Sequence, residues 1–301
     1  MKKKVLVTGA SGFVGRHCLE VLEARDYEIH AISRQNIKNS NTNRINWYNV
    51  DLFDEAGIED IFKAIKPNYF IHLAWKMETG LNLNSEGNKE WFYLSKMLIR
   101  LFHQYGGERV FISGSGFEYD LDYKVLNENS TPLRPNNEYG KNKNKLNSFI
   151  KSYCENNDLS YVWGRIFFAF GPGQKDQSLI PYVISSLKSN SEINLTDGNQ
   201  EYDYIYIKDV ALAIVLLLES SYIGDINISS GKVIKLKDLI VKIARIFNKE
   251  NLLNFGSLSR PKGSPNFVLG ENELLKKVTS WTEKHGIDKG IKEFISYYKN
   301  Q

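Results

Sequence analysis

The sequence predicts an α/β fold: a doubly wound parallel sheet with a smaller, interleaved C-terminal lobe. Three observations predict it. Short apolar, β-branched runs alternate with segments of helical period from Val5 to Arg165. A turn carrying Gly9, Gly12 and Gly15 separates the first run from the first helical segment. The alternation breaks after Arg165, where Gly171-Pro172-Gly173, Pro181 and the polar run Ser189–Gln200 interrupt it.

Val5-Leu6-Val7 is the first strand, ended by Gly9. From Phe13 to Arg25, Val14, Cys18, Leu19 and Leu22 recur at helical spacing. Strands follow at Glu28–Ser33 and near Ile45–Val50. A helix over about Glu55–Ile65 is stopped by Pro67, which cannot continue it. Tyr69–Leu73 is a buried strand, Lys89–Tyr105 a long helix and Arg109–Ser113 a strand. Tyr139–Asn156 is a helix and Ser160–Arg165 the strand after it. Such alternation implies right-handed crossovers. Beyond the break, Ile205–Ile207 and Ile226–Ile228 are expected to rejoin the main sheet around a helix at Val210–Leu218. The remaining chain mixes short helices with the loop Ser257–Asn266.

The 301 residues are 42% hydrophobic and 25% charged, enough for a sizeable core. The net charge of +4 is spread among residues of both signs. That suits an anionic small molecule and not a nucleic acid, which needs a clustered basic stripe. Lys2-Lys3-Lys4 runs into an apolar strand and reads as its solvated start. Cys18 and Cys154 fit no metal-ligand spacing, so no metal is expected, and two thiols suit a reduced, cytoplasmic setting. Glycines interrupt the apolar run after Val7, which argues against a secretory signal. The longest apolar run, Val210–Leu218, is too short to cross a bilayer, and no membrane partner is expected.

The glycine turn, Thr8-Gly9-Ala10-Ser11-Gly12-Phe13-Val14-Gly15, has the spacing GxxGxxG. One glycine makes the turn, one lets the backbone approach a pyrophosphate, and one packs helix on strand. The phosphates then meet free N–H groups at a helix N-terminus. Residues 1–165, with returning elements near 204–229, are therefore assigned to a dinucleotide-binding domain. Residues 166–203 and 230–301 are assigned to the second, substrate-binding lobe. An NAD site places a carboxylate at the end of the second strand; here that place holds Ser33, followed by Arg34. Ser33 does not repel a 2′-phosphate and Arg34 can grip one, so NADPH (NADP+) is preferred and NAD(H) remains possible. Otherwise Arg34 is a solvated loop residue. Asp51 and Leu52 end the third strand within reach of an adenine, and Leu73 and Ala74 end the fourth.

Tyr139 and Lys143 lie four apart, on one face of a helix. A phenol titrates at about 10, too high for easy proton exchange at neutral pH. A neighbouring ammonium lowers that value, so the pair can serve as a proton donor or acceptor beside a reacting C–O group. By itself the pattern is far more often that of a plain helix surface.

With the glycine turn ahead of it, this pair resembles that of the extended short-chain dehydrogenase/reductase family, of the NAD-dependent epimerase/dehydratase type. The resemblance covers essentially the whole chain. Val110–Tyr119 is similar to the family strand that ends in serines, and Gly164–Gln174 to its next motif. Leu179–Tyr182, Asp197–Gln200 and Asp203–Val210 are similar to its substrate-lobe motifs. The resemblance implies a Rossmann sheet and hydride transfer at a sugar carbon. It implies that Tyr139 is the acid/base, and that Lys143 holds the nicotinamide ribose and lowers the tyrosine pKa. It implies that Ser115 bonds the reacting oxygen and that Ser113 lies near the nicotinamide. A two-fold homodimer, in which the helix Lys89–Tyr105 pairs with the helix from Tyr139, is implied as well.

On the substrate side the chain departs from the family. Phe168 stands where an asparagine is frequent, and Tyr202 where an arginine often grips the substrate diphosphate. Arg260 resembles a second phosphate-binding position. The loop Trp75–Gly80 follows the fourth strand, where substrate contacts are expected, with Trp75 foremost. Three functions follow. The favoured one is an NADPH-dependent reductase of a nucleotide-linked 4-keto-6-deoxy sugar, since the tail resembles 4-ketoreductases of the CDP-abequose synthase kind. The rival is an NAD-dependent nucleotide-sugar 4-epimerase or dehydratase with recycled cofactor. Against it stand Ser33-Arg34 and the want of an acidic residue next to Ser115. The third is a non-catalytic cofactor-sensing protein, which the Ser115, Tyr139 and Lys143 set disfavours.

Overall fold

The structure is a computed structural model that describes residues 2–37, 44–76, 83–261 and 263–299. Its strands are β1 (Lys3–Thr8), β2 (Tyr27–Ser33), β3 (Ile45–Asn49), β4 (Tyr69–His72), β5 (Arg109–Ser115), β6 (Val125–Leu126), β7 (Ser160–Ile166) and β8 (Phe168–Phe170). They continue as β9 (Ile193–Leu195), β10 (Glu201–Tyr202), β11 (Tyr204–Tyr206), β12 (Gly224–Ile228), β13 (Ile234–Lys235), β14 (Leu253–Phe255) and β15 (Phe267–Gly270). The helices are α1 (Phe13–Glu23), α2 (Glu55–Ile65), α3 (Gly87–Gln104), α4 (Glu138–Asn156), α5 (Leu179–Lys188), α6 (Ile207–Glu219), α7 (Leu236–Phe247), α8 (Glu273–Val278) and α9 (Gly286–Lys299).

Seven strands pair in parallel in the order β12-β7-β5-β4-β1-β2-β3. Parallel strands covered on both faces should be apolar throughout, and β1 is: Val5, Leu6 and Val7 are all fully buried. Val5 and Val7 join the core under α1 and α6, while Leu6 joins the one under α2, α3 and α4. The chain runs outward from β1 to β3, then crosses back to β4. The C-terminal ends of β1 and β4 therefore flank a switch point, the place where such sheets hold ligands. The doubly wound sheet expected from the alternation is the one observed.

Two expectations need correction. Tyr204–Tyr206 does not rejoin the main sheet; it pairs with Phe168–Phe170 in a two-stranded sheet of its own, and only β12 returns. The cause is β8, which follows β7 after Phe167 and offers β11 a separate edge. Pro181 does not break the chain. It sits in the first turn of α5, where its missing N–H costs nothing.

A second sheet, β13-β10-β15-β6, carries a small core of Tyr119, Leu126, Phe167, Tyr202 and Val268. Asp203 joins it to the main body. This fully buried carboxylate accepts from Ser230 N (2.8 Å), Ser230 Oγ (2.7 Å), Gly231 N (3.1 Å) and Gly270 N (3.2 Å). No helix among the described residues is long and apolar enough to cross a membrane.

Candidate active site

The glycine turn follows β1 at the switch point. Gly9 has φ +69°, and a Cβ there would lie 2.8 Å from Ala74 N, so turn and β4 exit pack backbone to backbone. A Cβ at Gly15 would lie 2.1 Å from Gly9 O, which is why α1 can start so close to the strand. Gly12 caps α1 without a side-chain acceptor, and no acidic residue occupies the first turn. The N–H groups and positive dipole end there, near Phe13 and Val14, fit a dinucleotide pyrophosphate.

Thr8 and Leu73 frame this turn, with Leu73 N donating to Thr8 O (3.2 Å). Ser95 Oγ donates to Trp91 O (2.7 Å), so its oxygen must accept from His72 Nε2 (2.8 Å). His72 Nδ1 then accepts from the Thr8 hydroxyl (2.7 Å). Burial, with the Lys143 charge second, pulls His72 down to about 3 and keeps the imidazole neutral. At the end of β2, Ser33 Oγ donates to Ser11 Oγ (3.2 Å), which ties that strand to the turn; Arg34 beside it is exposed. β3 stops at Asn49, so Asp51 lies in the turn before α2 and not at the strand end. There Asp51 Oδ1 accepts from Phe53 N (3.0 Å), and Leu52 is buried in the core.

α4 starts at Glu138 because Asn137 Oδ1 accepts from Gly140 N (2.8 Å). Its first turns present Tyr139 and Lys143 to the end of β5. Lys143 is 2% exposed; its Nζ donates to Ser113 O (2.7 Å) and lies 4.0 Å from the Trp75 ring centre. Trp75 meets Tyr139 edge-on at 5.9 Å and 81°, and its indole N–H is held by Asn88 Oδ1 (2.8 Å). Ser115 is the last residue of β5 and caps the tight turn Gly116–Glu118. Its Oγ accepts from Phe117 N (3.2 Å), while Glu118 Oε1 accepts from Ser115 N (2.6 Å). Ser113, Ser115, Tyr139 and Lys143 are thus brought together.

The charge balance differs from expectation. Tyr139 is held above the ordinary phenol range by burial first and by the Glu118 carboxylate second; the Ser115 hydroxyl opposes them. Burial pulls Lys143 down to about 7, against the attraction of Glu118. With burial drawing Lys143 toward its neutral form and its Nζ donating to Ser113 O, the expected depression of the tyrosine by Lys143 is not found.

Sequence reasoning missed Glu118. It is fully buried and also accepts from Trp163 Nε1 (2.9 Å) and Arg165 Nε (2.9 Å). Its signal was present: Ser115-Gly116-Phe117-Glu118 has the spacing of a capping box.

Of the residues expected on the substrate side, Phe168, Tyr202 and Arg260 form one cluster. Phe168 stacks flat on Tyr202, with ring centres 4.5 Å apart and planes 4° from parallel. Tyr202 Oη and Arg260 Nη2 both donate to Pro265 O, at 2.8 and 3.0 Å. Phe117 meets Phe168 edge-on at 5.7 Å. A cavity of about 60 Å³ lies between Ser115 and Phe168. Trp75 stands apart, over Tyr139 and Lys143; of its loop, residues 77–80 lie outside the described residues.

The chain is similar to CDP-abequose synthase from Salmonella typhimurium (strain LT2), with 29% identity over 98% of each chain. In structure it is similar to UDP-N-acetylglucosamine 4-epimerase from Methanobrevibacter ruminantium M1, with TM-score 0.89 and 27% identity over 100% of both chains. UDP-glucose 4-epimerase from Thermus thermophilus, in complex with NAD, matches with TM-score 0.88 at 22% identity over 98% of this chain and 99% of that one, a likeness of fold. The family model described as NAD dependent epimerase/dehydratase matches residues 5–229, a span that holds the glycine turn, Ser115, Tyr139 and Lys143. The protein belongs to the NAD dependent epimerase/dehydratase family.

Proposed function

We propose that this chain is an NADPH-dependent reductase of a nucleotide-linked 4-keto-6-deoxy sugar. The observation that carries the reading is the convergence of Ser115, Tyr139 and Lys143 beside a switch point whose second strand ends in Ser33-Arg34 instead of a carboxylate. The near full-length likeness to CDP-abequose synthase supports the substrate class.

A dinucleotide whose pyrophosphate rests on the glycine turn would supply the hydride from its nicotinamide. Tyr139 is the proton donor. Burial and Glu118 keep its phenol neutral and loaded, and an alkoxide oxygen is more basic than a phenolate, so transfer runs downhill. Ser115 donates its hydroxyl to the same oxygen and stabilises the charge that develops there. Lys143 orients the nicotinamide ribose, and the Trp75 ring shields it from water. Arg34 grips the 2′-phosphate, and Arg260 the substrate diphosphate. The likeness to an epimerase at 27% identity favours a second reading, epimerisation with recycled cofactor. Dehydration fits less well, because the nearby Glu118 carboxylate is committed to Trp163 and Arg165.

We also infer a cytoplasmic homodimer paired through α3 and α4. In support, both cysteines are free thiols, and Tyr93 on α3 is 65% exposed in an aromatic surface with Phe92 and Phe149. The test of the activity is NADPH consumption with CDP-, UDP- and dTDP-linked 4-keto-6-deoxyglucose, alongside the dissociation constants of NADPH and NADH. Consumption matched mole for mole by reduced sugar, with NADPH bound more tightly, is expected. Turnover without net loss of NADPH would mean epimerisation.

A further inference from the structure

The cavity of about 60 Å³ beside Ser115 has one polar side chain in its lining, that of Ser115 itself. The others are hydrocarbon, among them Phe117, Leu121, Ile166, Phe168 and Val268. Phe168 is locked in this wall by its flat stack on Tyr202 and its edge contact with Phe117. The cavity exceeds the ~10–15 Å³ that one water needs, so a methyl group fits.

From this geometry we infer that Phe168 is a specificity-determining residue, whose ring closes an apolar pocket for the C6 methyl of the sugar. The inference rests on the reading of Ser115 as the partner of the C4 oxygen. With C4 beside Ser115, its ring neighbours C3 and C5 lie near the serine, and of their substituents only the C6 methyl on C5 is apolar, so it is the one matched to this hydrocarbon lining. A C6 hydroxyl placed there would lose its water and meet no free partner. Ser115 Oγ already accepts from Phe117 N (3.2 Å), and in the proposed reaction its proton goes to the ketone oxygen. A methyl group loses nothing by entering. Such a pocket rejects the hydroxylated analogue about 10- to 100-fold, the range open to apolar walls.

The test compares matched pairs, CDP-6-deoxyglucose with CDP-glucose and UDP-6-deoxyglucose with UDP-glucose. Calorimetry measures binding to the NADP+-loaded protein, and oxidation with NADP+ gives kcat/KM for each sugar. The expected result is a preference for the 6-deoxy member of about 10- to 100-fold in both readouts. Phe168→Ser should reduce it to within about threefold, and Phe168→Leu, which keeps the wall apolar, should retain it. Equal binding of both members by the wild type, or an unchanged preference in a folded Phe168→Ser, would overturn the pocket. Discrimination in binding with no oxidation either of these sugars or of their C4 epimers would uphold the pocket and contradict the oxidoreductase reading. Failure of both pairs to bind would contradict both.

Discussion

At Tyr139 and Lys143, burial outweighs attraction between neighbours. Each is shifted toward its neutral form, and Glu118 raises the proton affinity of both. The charged groups around that carboxylate are Arg165 on β7, Lys143 on α4 and, through Arg165, Asp225 on β12. The folded pKa of Lys143 lies below the usual lysine value, so its ammonium is present below about pH 7 and lost above it. NADPH affinity should therefore weaken as pH rises through about 7. Glu118→Gln removes the group that opposes burial and should move that inflection down by about one unit. Dissociation constants measured across the neutral range check this; an inflection that stays in place contradicts it. Tyr139 and Lys143 were readable as a pair from helical spacing, and Ser115 from the family resemblance, with β5 running two residues further than expected to reach it. Glu118 was readable as a cap, but not as a charge, since its partner Arg165 is distant in sequence and meets it only through the pairing of β5 with β7.

The elements that hold the site are joined by small polar links, and the one between β1, β4 and α3 titrates. Thr8, His72 and Ser95 form it, all of them buried. The folded pKa of His72, about 3, lies below its ordinary value of 6.5. The unfolded chain therefore takes the proton first. The stabilisation is complete above pH 6.5 and is lost as pH falls from there toward 3. The cost is about 1.4 kcal/mol per pH unit in that window. Urea unfolding of the wild type between pH 6.5 and 4.5 should thus fall more steeply than that of His72→Asn, which cannot titrate. Parallel curves would remove the argument. At this scale the main strands and helices were readable from apolar period and from stops such as Pro67. Pro181 misled because a proline reads as a break until its place in a first turn is known. Tyr204–Tyr206 misled because an apolar triplet does not say which edge it joins.

The molecule as a whole combines one sheet of long-range parallel pairs with a lobe built from strands of two to four residues. The alternation of strand and helix foretold the first. Strands as short as β10 and β13 carry no period, and they pair only because Asp203 and the Phe167–Tyr202 core hold distant segments together, so the second lobe was visible only as a break in rhythm. Its placement sets Phe168 across a cavity from Ser115, with Tyr202 stacked behind Phe168 and Arg260 sharing the Pro265 carbonyl with Tyr202; these are the residues proposed for the substrate side. The aromatic surface of α3 and α4 belongs to this scale too. Sedimentation at micromolar concentration should show a dimer, and a monomer there would leave those helices to another role. The most direct test of the account is hydride bookkeeping in a single reaction. Purified protein is mixed with NADPH and a nucleotide-linked 4-keto-6-deoxy sugar, and product configuration is read by NMR. The account predicts one NADPH oxidised for each ketone reduced, and a Tyr139→Phe variant that binds NADPH but is slower by orders of magnitude. A Tyr139→Phe protein that reduces the ketone as fast as the wild type, or sugar turnover that leaves NADPH untouched, would contradict it.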